Sequence, residues 1–260
     1  MTEIEIARAS ARRGGVILMD YWRRGFSARD KTNAGFVTDA DLASEKAIAE
    51  LILADRPDHA VLGEEEHAAD IRSEHLWIVD PLDGTTNYAH RLPHFAVSVA
   101  YYHRGVAQCG VVWNPARDDW YETTRGGGAW HNGERVRVSD AARLDQVLVG
   151  VGFYYDRGAI MEATLAAIGD LFRQQIHGIR RFGTAALDLC HVACGLYGGF
   201  FEYQLSPWDF AAARLFLEEA GGQVTTCLGD PLPLAKTHVL ASNGLLHSAM
   251  LEIVSRHCLR

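Results

Sequence analysis

Apolar and polar positions follow two different periods along this chain. In segments such as 2–24 and 42–56, apolar side chains recur at helical spacing, which is typical of helices that bury one face. Short unbroken apolar runs, such as the one at 76–79, indicate buried strands. Because helices and strands are interleaved along the chain, the pattern predicts layers of sheet covered by helices.

The predicted elements fall into two halves with a soft boundary near residue 145. The polar segment 27–35 predicts a loop, and Asn132-Gly133 predicts a tight hairpin. We treat 1–145 and 146–260 as halves of one compact unit, because no long polar linker separates them. Helices are predicted at 2–24, 42–56, 159–174, 184–195, 210–220 and 245–257, and strands at 60–62, 76–79, 95–102, 106–113, 120–124, 146–153, 178–182, 199–203, 223–227 and 238–241.

Composition and charge narrow the functional classes. With 48% hydrophobic and 22% charged residues, the chain can bury a core and is not expected to be disordered. Its formal net charge of −8 argues against nucleic acid as a partner, because phosphates must be neutralised by cations. We expect neither a membrane helix nor a secretory signal, since no apolar run is long enough. Five cysteines without a repeating pattern indicate reduced thiols and a cytoplasmic location.

Acidic residues carry the most informative chemistry in the sequence. Glu64, Asp80, Asp83 and Asp209 each follow a predicted strand or an aromatic residue. Taken singly, these segments have common structural explanations: a solvated loop, a turn and a helix N-cap. Taken together, they predict a carboxylate cluster at a sheet edge, where α/β folds bind ligands. The carboxylates in such a cluster repel one another unless a cation neutralises their charge. Oxygen donors suit Mg²⁺, Mn²⁺ or Ca²⁺ rather than Zn²⁺.

The residues after Asp83 fit an anionic substrate. Gly84 allows close backbone approach, and Thr85-Thr86-Asn87 can begin a short helix whose free N–H groups face an anion. Oxygens of substrate phosphates often complete the coordination shell of a protein-bound Mg²⁺. The sequence contains neither G-x-S-x-G nor Cys-x₅-Arg, so attack by a metal-activated water is favoured over a covalent mechanism.

Several of these segments resemble the inositol monophosphatase family, which comprises lithium-sensitive, Mg²⁺-dependent sugar phosphatases related to fructose-1,6-bisphosphatase. The resemblance implies a five-layer αβαβα sandwich and a homodimer. The matching segments, in order along nearly the whole chain, are FVTDAD (36–41), GEE (63–65), DPLDGTTNY (80–88), GTAA (183–186), WDFAAA (208–213) and EEAGG (218–222).

The resemblance also implies roles for individual acids. Glu64, Asp80 and the carbonyl of Leu82 would bind a first Mg²⁺, and Asp80, Asp83 and Asp209 would bind a second. A third, weaker ion would lie near Glu64. The expected complement is therefore two to three Mg²⁺ ions in one site.

The same resemblance implies the groups that act on the substrate. Thr85, oriented by Asp41, and Glu64 would position and help deprotonate the attacking water, while the amides of Gly84 and Thr85 hold the phosphate. Glu202, seven residues before Asp209, would accept hydrogen bonds from polyol hydroxyls. The full set of predicted substrate-binding residues is Asp83, Gly84, Thr85, Gly183, Thr184, Ala185, Glu202 and Asp209.

One departure from the family pattern concerns the segment before Asp41. Family members often have an Asp where Gly35-Phe36 stands here, although Lys31 keeps the position of the family's flexible loop. We expect the glycine to alter the conformation of this loop. The loop conformation in turn affects how strongly a third ion binds and how strongly Li⁺ inhibits.

The leading hypothesis is hydrolysis of a phosphate monoester of a small polyol, with inositol monophosphate first. Fructose 1,6-bisphosphate, histidinol phosphate and 3′-phosphoadenosine 5′-phosphate are alternatives, although Thr86-Asn87 argues against nucleotides. A second class of function is a non-catalytic regulator that uses this fold to bind a protein or RNA partner.

Overall fold

The computed structural model describes residues 1–30 and 36–259. Its helices are α1 (Glu3–Arg24), α2 (Asp39–Asp55), α3 (Thr85–Ala89), α4 (Ala159–Arg173), α5 (Ala185–Ala193), α6 (Pro207–Glu219) and α7 (His247–His257). Its strands are β1 (Ala28–Asp30), β2 (Phe36–Thr38), β3 (Ala60–Gly63), β4 (His75–Asp83), β5 (Ala96–His103), β6 (Val106–Asn114), β7 (Asp119–Thr124), β8 (Gly128–His131), β9 (Glu134–Val136), β10 (Leu148–Val151), β11 (Gly178–Arg180), β12 (Gly199–Leu205), β13 (Gln223–Thr225) and β14 (Thr237–Ser242).

Two large sheets form the framework. The first has strand order β3-β4-β5-β6-β7-β8-β9 and is antiparallel except for the parallel pair β3–β4. The second has order β11-β10-β12-β14-β13, in which β10 runs parallel to both of its neighbours. The hairpin between β8 and β9 turns through Asn132 and Gly133 at positive φ, as their sequence predicts.

Helices cover both faces of each sheet and give five layers. On β4, Trp77 and Val79 pack in the core shared with α1 and α2, whereas Leu76 and Ile78 pack in the core shared with α5 and α6. The other face of α5 and α6 meets the second sheet, whose far side is covered by α4 and α7. The αβαβα sandwich is thereby confirmed. In the described residues, no helix has both the length and the apolar character needed to span a bilayer.

Two helices begin earlier than predicted. Helix α2 starts at Asp39 rather than 42, and α6 starts at Pro207 rather than 210. In both, a capping box pairs an N-cap hydroxyl with an acid in the first turn: Thr38 with Asp41, and Ser206 with Asp209. The predicted starts were late because the first turn of α2 carries two acids and that of α6 begins with proline, and both turns lie ahead of the apolar periodicity.

The loop predicted at 27–35 was also wrong in part. Ala28–Asp30 forms β1 and pairs antiparallel with Phe36–Thr38. Three residues with little apolar character give no strand signal, so only the pairing reveals this element. Lys31 and Gly35, which bear on the predicted third ion, lie outside the described residues.

Candidate functional site

A cavity of about 580 Å³ opens where β4 ends and where α3, α5 and α6 begin. Three helix N-termini therefore point toward one space, which favours an anionic ligand. Of the predicted site residues, Asp41 does not line the cavity but contacts one that does, Thr85. The predicted residues that line it are Glu64, Asp80, Leu82, Asp83, Gly84, Thr85, Gly183, Thr184, Ala185, Glu202 and Asp209.

A bulge in β4 explains how two of the acids come to share this cavity. Residues three apart on a regular strand face opposite sides of the sheet. Here Asp80 pairs with Ser98 and Asp83 pairs with Ala96, so β4 carries one extra residue against β5. The extra residue turns both carboxylates to the same side, as bulges next to active sites do.

Asp80 is the most deeply buried of the four predicted metal-binding acids. It is 1% exposed, its Oδ1 accepts the Leu82 amide at 3.0 Å, and its Oδ2 has no hydrogen-bond partner among the described residues. Burial, and then the negative charges of Glu64, Asp83 and Asp209, raise the pKa of Asp80 well above its ordinary value. A buried carboxylate oxygen without a donor is the expected feature of a cation site.

The ionised form of Asp83 is likewise disfavoured by burial and by neighbouring carboxylates. Burial and the charge of Asp209 raise its pKa well above the ordinary value, although the Ala186 amide donates to Oδ2 at 2.8 Å. A divalent cation would remove this cost by attracting both carboxylates at once. The oxygen-only donor set of Glu64, Asp80, Asp83 and Asp209 therefore fits Mg²⁺.

Asp209 combines a structural contact with its place in the cavity. Its Oδ2 accepts the Ser206 amide at 2.6 Å, which completes the capping box of α6. The N-cap explanation of this segment is right in placing it at the start of a helix, but the N-cap residue is Ser206 and Asp209 is the third residue of α6. It does not compete with a role in ion binding, because Asp209 also lines the cavity and raises the pKa of Asp83.

The Thr85 hydroxyl is held by two acceptors. It lies 3.1 Å from Asp41 Oδ1 and 3.0 Å from the Leu82 carbonyl. Asp41 is fully buried, and its Oδ2 accepts the Thr38 amide at 2.8 Å. The capping box of α2 therefore fixes the carboxylate that orients Thr85 at the cavity wall.

Gly84 allows the two halves of the site to meet. It has φ +93°, and a Cβ at this position would lie 2.7 Å from Thr184 Oγ1 and 3.2 Å from the His94 carbonyl. The Asn87 side chain, not predicted as a site residue, donates to the carbonyls of His94 and Phe182, each at 2.7 Å. These bonds join α3 to the segment that carries Thr184.

The second sheet contributes Glu202, which is 8% exposed. Burial and then Asp209 raise the pKa of Glu202 well above its ordinary value, while Arg181 opposes the rise. Gly152 makes room for it, because a Cβ there would collide with the Glu202 carboxylate. Asp188 is a buried cavity residue that no sequence motif indicated. Burial raises its pKa, and its Oδ1 lies 4.0 Å from His191 Nδ1 but has no hydrogen-bond partner in the described region.

Glu45 is a supporting residue that no sequence motif indicates. Its carboxylate accepts the amides of Glu65, Glu66 and His67 at 2.8, 2.8 and 2.9 Å, and it lies 2.9 Å from His67 Nδ1. Burial would raise the pKa of Glu45, but these bonds outweigh it and lower the pKa. A Cβ on Gly63 would collide with this carboxylate, so the loop after β3 closes tightly around it.

Comparison with known proteins agrees with the fold. The model of the inositol monophosphatase family matches residues 2–258. The chain belongs to the inositol monophosphatase family. This family acts on phosphate monoesters and depends on a metal ion, typically Mg²⁺.

The similar proteins are named either as phosphatases or as Nus factors. The phosphatase IMPL1, chloroplastic, of Arabidopsis thaliana is 38% identical over 97% of this chain and 70% of its own length. The Nus factor SuhB of Pseudomonas aeruginosa is 38% identical over 98% of this chain and 96% of its own. The structure of inositol monophosphatase from Anabaena has a TM-score of 0.87 at 38% identity, covering 98% and 96% of the two chains.

Proposed function

We propose that this protein is a Mg²⁺-dependent phosphatase that hydrolyses phosphate monoesters of small polyols, with inositol monophosphate as the leading substrate. The observation that carries the proposal is the convergence of Asp80 and Asp83, through the β4 bulge, on the cavity lined by Glu64 and Asp209. The N-terminus of α3 borders the same cavity and offers amides to a phosphate.

Two ions would be held by the acids in this arrangement. Glu64, Asp80 and the Leu82 carbonyl would hold the first, Asp80, Asp83 and Asp209 the second, and a third would bind weakly near Glu64. When bound, Mg²⁺ supplies a water of lowered pKa and neutralises charge on the phosphate. Because a small hard cation can occupy such a position, we expect Li⁺ to inhibit in the millimolar range or below.

The remaining steps fall to this chain's own groups. The Thr85 hydroxyl, oriented by Asp41, would hold the attacking water together with Glu64 and take part in its deprotonation. The amides of Gly84 and Thr85 would hold the phosphate in line with that water.

The opposite wall of the cavity would bind the alcohol part of the substrate. Glu202 is able to accept two polyol hydroxyls, and the segment 183–185 borders the same space. A carboxylate there favours a neutral, hydroxyl-rich group over a second phosphate, which supports inositol monophosphate ahead of fructose 1,6-bisphosphate.

A phosphate-release panel tests the proposal. It would contain inositol monophosphate, fructose 1,6-bisphosphate, histidinol phosphate and 3′-phosphoadenosine 5′-phosphate, each with and without Mg²⁺. We expect Mg²⁺-dependent release that is fastest from inositol monophosphate. A faster alternative substrate would keep the chemistry and change the substrate, whereas release from none would refute the proposal.

Two further expectations belong to this proposal. The first is a homodimer, which sedimentation velocity would detect. The second is a cytoplasmic location, supported by cysteines that are all free thiols in the structure and tested by cell fractionation.

A second candidate function is regulation through a partner. It is favoured by relatives that are named Nus factors, among them the Pseudomonas aeruginosa SuhB. Affinity purification of the chain and of its Asp83→Asn variant separates the two functions. A stoichiometric partner captured equally by both, with no phosphate release from any substrate, would support regulation in place of catalysis.

A further inference from the structure

The opposite end of β4 carries a second group of metal-binding side chains, Glu74, His75 and His103, which we call the imidazole cluster. His75 begins β4 and pairs directly with His103, the last residue of β5. Asp83 ends the same strand eight residues later, so the imidazole cluster lies roughly 25 Å from the acidic cavity. It is therefore a separate site.

The ligand atoms of the imidazole cluster are already close together. One ligand atom from each of Glu74, His75 and His103 lies within 4.8 Å of the other two. The Nε2 atom of His103 is 3.6 Å from Glu74 Oε1, and the two imidazole rings stack with centroids 4.8 Å apart. Rotation of His103 about χ2, which is broad for histidine, would turn its ring nitrogen toward an ion bound by Glu74 and His75.

Neighbouring side chains hold His75 in the orientation that a ligand needs. Its Nδ1 lies 2.7 Å from the Tyr101 hydroxyl, and when Nδ1 donates this bond, the lone pair is on Nε2. His59 stacks on the other face at 4.5 Å and is itself fixed by a 3.0 Å bond from Trp77 Nε1. Outer contacts of this kind orient metal-binding histidines in proteins.

Arg104, which donates hydrogen bonds to Glu74, can be displaced by a metal ion. Arg104 donates to Glu74 through Nε at 3.1 Å and Nη2 at 2.7 Å, and both bonds go to Oε1. The two side chains are 72% and 54% exposed, and such surface ion pairs contribute little stability. A cation with a higher charge can therefore displace Arg104 from the carboxylate.

We propose that Glu74, His75 and His103 form a binding site for a divalent transition metal, with Zn²⁺ as the test ion, that joins the start of β4 to the end of β5. Two imidazoles and one carboxylate suit Zn²⁺, Ni²⁺ or Cu²⁺, whereas Mg²⁺ prefers oxygen ligands. The two metal sites of the molecule would thus differ in the ion that each selects.

Zn²⁺ titration by calorimetry in saturating Mg²⁺ tests this site. The proteins are wild type, His75→Gln, His103→Gln and the control His177→Gln, which changes an exposed histidine outside the cluster. We expect His75→Gln and His103→Gln each to weaken one Zn²⁺ site by at least about tenfold, and His177→Gln to leave it unchanged. Zn²⁺ that enters the acidic cavity contributes equally to all four proteins.

Identical isotherms in all four proteins would overturn the proposal. The side chain of His103 is 40% exposed, so His103→Gln keeps the fold even if His75→Gln disturbs the ring stack. An anomalous difference map from a Zn²⁺-soaked crystal gives a second, direct test, because it must show a peak between Glu74, His75 and His103. The Asp83→Asn variant should retain this Zn²⁺ site, so failure here is distinguishable from failure of the proposed phosphatase function.

Discussion

Two buried carboxylates in the first half of the chain, those of Glu45 and Asp80, differ in their hydrogen bonds and in the direction of their pKa shifts. Glu45 accepts three successive backbone amides and lies beside His67, and its pKa is lowered. Asp80 is just as deeply buried, but one amide donates to it, one oxygen has no partner among the described residues, and its pKa is raised. The negative charge of Glu45 is thus stabilised by hydrogen bonds within the chain, whereas the charge of Asp80 requires a bound cation.

The largest expected effect comes from removing one of the acids left for the cation. Asp83→Asn should lower Mg²⁺-dependent phosphate release by about 10³-fold or more, because it deletes a ligand and leaves the fold intact. Initial rates on inositol monophosphate check this, with Asp140→Asn, an exposed acid outside the cavity, as the matched control. Unchanged turnover in Asp83→Asn would contradict the assignment.

A smaller effect on rate is expected at Thr85, whose hydroxyl lies between the buried Asp41 carboxylate and the Leu82 carbonyl. Thr85→Val removes the hydroxyl that Asp41 and the Leu82 carbonyl hold, and should lower kcat by about 10²-fold. Thr85→Ser keeps the hydroxyl and should recover most of the activity. If the serine and valine variants were equally slow, the methyl group rather than the hydroxyl would be the important feature.

Stability should respond to the other carboxylate. Glu45→Gln replaces a charged acceptor of several amides and should destabilise the fold by about 2 kcal/mol, measured by urea unfolding. In metal-free protein, Asp83→Asn should instead be neutral or stabilising, because it relieves repulsion with Asp209. Equal losses in the two variants would remove the distinction between them.

The pH dependence of stability should have opposite signs at these two places. Raised pKa values at Asp80, Asp83 and Glu202 mean that the folded state binds extra protons, so metal-free stability falls as pH rises above about 4. The lowered pKa of Glu45 means that its contribution is lost as pH falls below about 4. Thermal unfolding of metal-free protein between pH 4 and 8 checks the first trend, which Mg²⁺ should reverse. A stability that rises across this range without metal would contradict it.

The sequence predicted the acids but not what positions or supports them. Asp80 and Asp83 stand in a short motif, and their selection needed only local chemistry. The bulge that turns them to one side depends on pairing with β5, and Glu45 meets the loop after β3 only in the folded chain. Asp188 and Gly152 come from the second half, and their relation to the site is set by how the two sheets pack. Such long-range contacts leave no periodic signal in the sequence.

We propose that Asp80, Asp83, Glu64 and Asp209 share Mg²⁺ at the end of β4. Calorimetric Mg²⁺ titration at a series of pH values upward from the ordinary carboxylate range, repeated in buffers of different ionisation enthalpy, provides the test. Because the pKa values of Asp80 and Asp83 are raised in the absence of metal, Mg²⁺ binding should release protons, and Asp83→Asn should abolish both the binding and the release. Binding without proton release, or binding that survives Asp83→Asn unchanged, would contradict the account.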